Sequence, residues 1–307
     1  MNDLNTVIEI SNLNKRFKSI VAVNNLNLKV LKGDVFGFLG PNGAGKSTTI
    51  RLLLSLIAPN SGTINIFGNS LIENRKKILR RVGAIVEKPD FYNYLSAYKN
   101  LEILGKISGI EVKTSKIFEL LELVGLKERY KSKVKTYSHG MKQRLGIAQA
   151  LLHNPEIIIL DEPTTGLDPF GMKEIRDLII RLSKEEKKTI FLSSHILSEI
   201  EMIADRMVII NKGSTIVEGE VKELLKTDLL KVVFEVNDIH TSKSVLENTK
   251  WYKKIESVSE NNVTFTLEQN EISEINKLLV EKGIAVSAVI PKRSLEEYFL
   301  KITSEAT

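Results

Sequence analysis

The stretch Gly40-Pro41-Asn42-Gly43-Ala44-Gly45-Lys46-Ser47-Thr48 decides the fold. It matches the pattern of a glycine, four residues and then Gly-Lys-Ser/Thr, which is typical of a loop that wraps around a polyphosphate. The apolar run from Val35 to Leu39 before it predicts a buried strand, and the segment from Lys46 to Ile57 after it predicts an apolar-faced helix. The loop therefore joins a strand to a helix, which is the context that the pattern requires.

The residue types of this loop suit a nucleotide. Gly40, Gly43 and Gly45 let the backbone fold closely around phosphates and aim its N–H groups inward, and the following helix N-terminus adds a favourable dipole. Lys46 supplies a point charge for the terminal phosphates, and Ser47 supplies a hydroxyl for Mg²⁺. The alternative is a glycine-rich turn between two core elements, and the strand and helix around the loop argue against it.

The composition excludes several classes of protein. The chain has 307 residues, enough for two domains, and its 42% hydrophobic and 27% charged residues exclude a disordered chain. Without cysteine it has no disulfides, thiol nucleophiles or cysteine zinc sites. Because no apolar run approaches the roughly 18 to 20 residues of a membrane helix and the start lacks a secretory pattern, we expect a cytoplasmic protein. The formal charge of +6 is scattered among acidic residues, which favours a solvated surface over nucleic-acid binding.

Two adjacent carboxylates follow a second buried strand. The apolar run from Ile157 to Leu160 ends at Asp161 and Glu162. Charges at such a position are costly unless they are paired or bind a metal, and ligands of open α/β sheets bind at strand ends. We therefore expect Asp161 to hold Mg²⁺ and Glu162 to orient and deprotonate the attacking water. The alternative is a solvated strand end.

Three further positions are weak signals when each is taken alone. Ser138 predicts the N-cap of a helix that contains Gly140, and such a start either binds an anion or merely caps the helix. Phe17, beside two cations, either stacks on a nucleobase or belongs to the core. His195 follows a predicted strand from Thr189 to Leu192, at the edge where ligands gather.

The remaining pattern outlines the rest of the first domain. Two strands are predicted from Val7 to Ile10 and from Ile20 to Val30, with a turn at Asn24-Asn25 that breaks the second. A helix-like basic run extends over residues 72–81. From Ala97 to about Lys133, apolar residues at helical spacing, with Leu101 and Ile107 among them, predict packing within an inserted helical subdomain of about residues 88–152.

From residue 229 the order of elements changes. Strand, helix, strand, strand, helix and strand follow one another, which is the ferredoxin-like arrangement. A final helix is predicted from Ser294 to Ile302. This part shows no glycine-rich loop, metal spacing or paired acids, so we expect an accessory role in regulation or partner contact.

Taken in order, these motifs resemble the ATP-binding subunit of an ABC transporter, over roughly residues 7–225. The resemblance implies an α/β P-loop NTPase of ABC type in residues 1–226, followed by a ferredoxin-like domain in residues 229–307, with ATP and Mg²⁺ as cofactors. The residues implied to contact nucleotide are Phe17, Gly40, Asn42, Gly43, Ala44, Gly45, Lys46, Ser47, Thr48, Glu87, Ser138, Gly140 and Asp168. Those implied near the metal are Ser47, Glu87 and Asp161, and those implied in catalysis are Glu162, His195 and Lys46.

The resemblance also implies partners. In this family two chains share each catalytic site, so Ser138 and Gly140 are expected to contact the γ-phosphate bound by a second copy or by a related subunit. Integral membrane permease subunits are expected to convert closure and reopening of the dimer into transport. We therefore expect a protein that is peripheral on the cytoplasmic face of the cell membrane, with no nucleic-acid partner.

Two departures from the usual family pattern narrow the resemblance. Glu87 replaces the usual glutamine before the helical subdomain, and Tyr137-Ser138-His139-Gly140-Met141 replaces the usual leucine-serine-glycine-glycine-glutamine signature. Both departures, together with the small C-terminal domain, resemble the pattern of the branch that contains the bacitracin and lantibiotic immunity exporters. The alternatives are a soluble ABC-type ATPase acting on nucleic acid or ribosomes, and a phosphate-loop GTPase or small-molecule kinase.

Overall fold

The computed structural model describes residues 5–224, 230–247 and 249–292. It contains two compact units, Met1–Val221 and Lys222–Thr307. Within the described ranges, no helix combines the length and apolarity needed to cross a bilayer.

An antiparallel sheet opens the first unit. Its strands are β1 (Thr6–Phe17), β2 (Ile20–Leu31), β4 (Ser61–Ile66) and β5 (Asn69–Ser70), in the order β2-β1-β4-β5. The predicted break at Asn24-Asn25 is wrong, because β2 continues through both residues. Asn25 adopts a φ of 49°, and the pairing of β1 with β2 shifts register nearby, so an irregularity within the strand accommodates the polar residues.

A second sheet carries the predicted phosphate loop. Its order is β10-β9-β3-β8-β7-β6, and all of its neighbouring strands run parallel except β10, which is antiparallel to β9. The short apolar runs within residues 35–39, 157–160 and 189–194 become strands buried on both faces, as parallel sheets require. The strands are β3 (Val35–Leu39), β6 (Val82–Ile85), β7 (Ile157–Leu160), β8 (Thr189–Ser194), β9 (Arg206–Asn211) and β10 (Ser214–Glu220).

The helices of the first unit pack on this sheet or form the predicted insertion. They are α1 (Lys46–Leu53), α2 (Arg75–Leu79), α3 (Ala97–Ile107), α4 (Thr114–Leu123), α5 (His139–Ala150), α6 (Pro169–Lys184) and α7 (Leu197–Ile203). A short helix, α8 (Val221–Leu224), begins at the last residue of this unit.

Three helix predictions need correction. The first helix ends at Leu53 rather than Ile57, because Ser55 takes a left-handed backbone with a φ of 51°. The basic run over residues 72–81 is helical only in α2, since the Leu71 N–H pairs with the Ile64 carbonyl and keeps the preceding chain on the first sheet. Ile107 was predicted to pack and is instead 69% exposed, whereas Leu101 is buried.

The second unit has the predicted ferredoxin-like order. A four-stranded antiparallel sheet is ordered β12-β13-β11-β14, and its core consists of apolar side chains from the sheet and both helices. The helix predicted from Ser294 to Ile302 lies outside the described residues. The elements are β11 (Leu230–Val236), α9 (Ile239–Glu247), β12 (Ile255–Val258), β13 (Asn262–Leu267), α10 (Gln269–Glu281) and β14 (Val286–Lys292).

A buried carboxylate ties helix α10 to the segment before β12. Glu271 accepts hydrogen bonds from the Trp251 indole at 3.1 Å, from the Lys254 ammonium at 2.6 and 2.7 Å, and from the Glu268 backbone N–H at 2.9 Å. Burial by itself raises the pKa of Glu271, but Lys254, the Glu268 N–H and Trp251 outweigh it, so the pKa lies below 4.5. The ionised form of Glu271 therefore stabilises this unit.

We expect Glu271→Gln to lower the free energy of unfolding of the second unit by about 1 to 3 kcal/mol at pH 7, because the donors lose a charged acceptor. Urea unfolding followed by fluorescence measures this, since Trp251 is the single tryptophan of the chain. A depressed pKa contributes stability above pH 4.5 that is lost as the pH falls through the lowered value, so wild type and variant should converge in acid.

Glu274→Gln on the same helix is the matched control. Glu274 pairs with Lys250 at 3.1 Å with both side chains at least half exposed, so its replacement should change stability by no more than about 0.5 kcal/mol. Equal losses in both variants, or a Glu271→Gln loss that does not shrink as the pH is lowered, contradict the assigned role.

Candidate active site

The parallel strands bring the predicted motifs to one edge of the second sheet. Along the order β3-β8-β7-β6, Leu39 lies opposite Ser194, Leu160 opposite Leu192, and Ile85 opposite Leu160. The carboxyl ends of these four neighbouring strands are therefore level with one another. The residues that follow them at this edge are Gly40, His195, Asp161, Glu162 and Glu87.

Glycines shape the phosphate loop. Gly43 and Gly45 have φ angles of 82° and 107°, in the left-handed region that favours glycine. A Cβ atom on Gly45 would lie 2.3 Å from the Ala22 carbonyl oxygen, and one on Gly40 would lie 2.6 Å from the Ile210 carbonyl oxygen. Any larger residue at Gly40 or Gly45 would push the loop away from the strands that support it.

Lys46 is buried at the base of this loop, with 5% of its surface exposed. Its ammonium donates to the carbonyl oxygens of Gly40 at 2.8 Å and Pro41 at 3.1 Å, and it lies 3.2 Å from a Glu162 carboxylate oxygen. These three oxygens therefore hold the positive charge at the base of the predicted phosphate loop.

Glu162 lies at the centre of the site. Its second carboxylate oxygen accepts from the Thr165 hydroxyl at 2.9 Å and from His195 Nδ1 at 3.0 Å. Because an ionised carboxylate can only accept, His195 Nδ1 carries the hydrogen in this contact. Lys46, Thr165 and His195 thus fix both oxygens of the predicted general base.

These contacts also determine the charge of Glu162. Burial by itself raises the pKa of this carboxyl group, but the Thr165 hydroxyl, the Lys46 ammonium and the His195 imidazole outweigh it, so the pKa lies below 4.5. Glu162 is therefore ionised at neutral pH and able to accept a proton. The backbone at Glu162 has a φ of 47°, an uncommon conformation for a residue other than glycine.

Ser193 connects the two adjacent acids. Its hydroxyl donates to an Asp161 carboxylate oxygen at 2.5 Å and accepts the Glu162 backbone N–H at 2.9 Å. Asp161 is buried, and its own N–H pairs with the Ile85 carbonyl of the neighbouring strand at 2.9 Å. One hydroxyl at the end of β8 therefore sets the positions of both acids at the end of β7.

A hydrogen bond to helix α7 holds the loop that follows the two adjacent acids. The Thr164 hydroxyl donates to the buried carboxylate of Glu199 at 2.5 Å. Because α7 begins two residues after His195, this contact and the bond from His195 to Glu162 link the same two segments twice.

A cavity of about 260 Å³ opens beside these groups. Its oxygen donors from Ser47, Glu87, Asp161 and Glu162 are of the type that Mg²⁺ binds. Within the described part of the chain, no three His, Cys, Asp or Glu side chains cluster closely enough to hold a metal alone. The donors therefore fit an ion that takes one or two carboxylates and a hydroxyl and completes its shell with phosphate and water. The lining residues are Ser47, Glu87, Lys88, His139, Gln143, Asp161, Glu162 and Thr165.

Of the predicted nucleotide contacts in residues 40–48, Ser47 lines this cavity. Of those outside that loop, Glu87 lines it and four do not. Phe17 is 44% exposed at the end of β1, with the Lys15 ammonium 4.9 Å from its ring centre. Ser138 caps α5 by accepting the Met141 N–H, and Gly140 lies in the first turn of that helix. Asp168 caps α6 by accepting the Gly171 N–H at 2.8 Å. His139, between Ser138 and Gly140, does line the cavity.

Sequence reasoning missed three polar partners of the site. Thr165 and Ser193 bond to the paired acids, and Arg51 donates to the Glu87 carboxylate at 2.5 Å. The one available signal was the polar end of the apolar strand β8, at Ser193 and Ser194. Nothing in the local pattern around Arg51 indicates a partner that lies 36 residues away.

Comparison with known proteins identifies relatives of this chain. The family described as ABC transporter matches residues 23–165. The bacitracin transport ATP-binding protein BcrA of Bacillus licheniformis is 46% identical over 99% of this chain and 99% of that protein. The lantibiotic transport ATP-binding protein SrtF of Streptococcus pyogenes is 44% identical over 70% of this chain and 91% of that protein. The dimeric ATP-binding cassette MJ0796, solved after hydrolysis with ADP and phosphate, is 27% identical with a TM-score of 0.62, over 70% of this chain and 98% of that one.

Proposed function

This chain belongs to the ABC transporter family as a subunit that binds and hydrolyses ATP, and we propose that it drives export of a peptide antibiotic such as bacitracin or a lantibiotic. The observation that carries the substrate class is the similarity to a bacitracin transport protein along nearly the whole of both chains, including the C-terminal unit. The relatives reported above are named for transport, so the alternative of an ATPase acting on nucleic acid is left without support.

We propose that hydrolysis proceeds by positioning and charge stabilisation. Glu162 orients the attacking water and accepts its proton, while Thr165 and His195 hold the carboxylate in place. Lys46 balances the charge that develops on the terminal phosphate. Ser47, Asp161 and Glu87 would hold Mg²⁺, which when bound neutralises charge on the phosphate oxygens.

We further propose that each working site needs a second chain. Ser138 and Gly140 lie at the N-terminal end of helix α5, where backbone N–H groups favour an anion, yet neither lines the cavity of its own chain. They are therefore available to the γ-phosphate of a partner, and Phe17 is exposed for stacking on adenine. The dimeric state of MJ0796 supports this arrangement, with a second copy or a related subunit as partner.

Separate permease subunits complete the proposed transporter. Because a transporter needs a path through the bilayer and no described helix can provide one, we infer integral membrane partners and a position on the cytoplasmic face of the membrane. We assign residues 1–226 to the ATP-binding domain and residues 229–307 to the accessory domain. Within the ATP-binding domain, the helical subdomain comprises about residues 88–152.

A resistance assay tests the proposed substrate. We expect that producing the chain together with the membrane proteins encoded beside it raises the minimal inhibitory concentration of bacitracin or of a lantibiotic severalfold in a sensitive host. The same operon with Glu162→Gln should give no protection, although the tagged subunit still retains its membrane partners in detergent. Formation of the complex without protection against either class of peptide contradicts the proposed substrate and leaves the ATPase assignment intact.

A further inference from the structure

Three carboxylates share the cavity of the active site. Glu87, Asp161 and Glu162 all line it, and the expected ligand is itself a polyanion. Like charges in one site oppose one another and weaken anion binding. Without Mg²⁺, each carboxylate therefore needs a compensating contact within the chain.

Two of the three have such contacts among the groups already described. Glu162 faces Lys46 at 3.2 Å and His195 at 3.0 Å, and Asp161 accepts the Ser193 hydroxyl. The contacts of Lys46 are with Glu162 and with the carbonyl oxygens of its own loop, and not with Glu87.

Arg51 provides the contact for Glu87. Its guanidinium lies 2.5 Å from a Glu87 carboxylate oxygen, and it stands in the last turn of α1, the helix that begins at Lys46. The ion pair therefore joins the helix of the phosphate loop to the loop after β6. At Glu87 the backbone has a φ of 64°, so this side chain leaves the strand in a direction that a regular extended residue would not take.

The exposure of this pair argues against a role in stability. The Arg51 and Glu87 side chains are 43% and 66% exposed, and ion pairs in such surroundings contribute little to folding. We instead expect the ion pair to balance the charge of Glu87 and to fix the direction of its side chain, which also lines the cavity.

We propose that Arg51 is a positioning residue that balances the negative charge of Glu87 and thereby lets the site bind ATP beside this carboxylate. A neutral amide at position 87 would need no such partner. This inference rests on the proposed nucleotide site. It assigns Arg51 no contact with substrate, so its importance depends entirely on the charge at position 87.

A double-mutant cycle tests the proposal without hydrolysis. Binding of a fluorescent ATP analogue, with EDTA present, is measured for wild type, Arg51→Ala, Glu87→Gln and the double variant. We expect Arg51→Ala to weaken binding by about fivefold, because an uncompensated carboxylate then faces the phosphates. In the E87Q background the same replacement should change affinity by less than about twofold, since surface charges without a close partner contribute little.

Three controls separate this effect from damage to the fold. Arg51→Lys keeps the charge and should retain most of the affinity. Arg75→Ala removes a neighbouring cation that contacts the Ser55 hydroxyl rather than a carboxylate, and it should bind like wild type. Because the pair is exposed, the effect of Arg51→Ala should shrink in 0.5 M salt, where screening acts over about 4 Å.

The outcomes are distinguishable. An equal loss from Arg51→Ala in both backgrounds, or no loss in either, overturns the positioning role while leaving the nucleotide site in place. Failure of the wild-type chain to bind the analogue overturns the nucleotide site and this inference together.

Discussion

Replacing Glu162 with glutamine should abolish ATP hydrolysis while ATP binding survives. Glutamine keeps the volume of the side chain and an oxygen that can accept from Thr165 or His195, so the loop retains its shape. It removes the group that takes the proton from water, and loss of a general base slows a reaction by about 10² to 10⁴. The rate of phosphate release should therefore decrease by a factor in this range.

The same variant should accumulate as an ATP-bound dimer. If ATP closes two chains around shared sites and hydrolysis reopens them, a chain that binds ATP without cleaving it stays closed. Size-exclusion chromatography with ATP should show a dimer for Glu162→Gln and mostly monomer for wild type.

A replacement at the opposite end of the same strand provides the control. Glu156 precedes β7, is half exposed and pairs with Arg81 at 2.6 Å, so Glu156→Gln should leave turnover unchanged. Phosphate release by Glu162→Gln at more than a tenth of the wild-type rate contradicts the assignment of the general base. Loss of turnover in both variants points instead to damage of the strand.

Replacing Lys46 with alanine should act earlier, on nucleotide binding itself. The cavity then keeps its three carboxylates, while Glu162 loses the buried ammonium beside it. Hydrogen bonds to charged groups contribute about 1.5 to 3 kcal/mol, which corresponds to a fall in ATP affinity of roughly 10-fold to 150-fold. Equilibrium binding of a fluorescent ATP analogue measures the change directly.

This prediction needs a check on folding, because Lys46 also holds the Gly40 and Pro41 carbonyls. Circular dichroism is the suitable readout, since the single tryptophan belongs to the other unit. Lys184→Ala, which removes an exposed lysine paired with Asp205, serves as the matched control and should bind like wild type. Unchanged affinity in a folded Lys46→Ala protein removes Lys46 from the site.

Together the two variants separate binding from chemistry. Lys46→Ala should lose affinity and therefore turnover at low ATP concentration, whereas Glu162→Gln should lose turnover at every ATP concentration. The contact between these side chains, at 3.2 Å, means that their effects are not expected to add.

Local patterns were sufficient for much of the fold. The phosphate loop, the strand before the paired acids and the ferredoxin-like order of the second unit each depend on neighbours within a few residues, and each is present as predicted. Local patterns were less reliable where tertiary contacts override them. Strand β2 passes through Asn24-Asn25 because pairing with β1 on both sides carries it across a local irregularity, and α2 is short because the preceding chain bonds to β4.

The sequence by itself determined which chemical groups stand at the ends of the strands, because a glycine-rich loop, paired acids and a histidine after an apolar run are local features. Only the tertiary structure decided which of these groups touch. The order β3-β8-β7-β6 and its parallel register place Ser193 on both acids, His195 on Glu162 and Arg51 on Glu87. The physical reason is that a hydrogen bond depends on a few tenths of an ångström between atoms far apart in the chain, and only the packing of whole elements sets that distance.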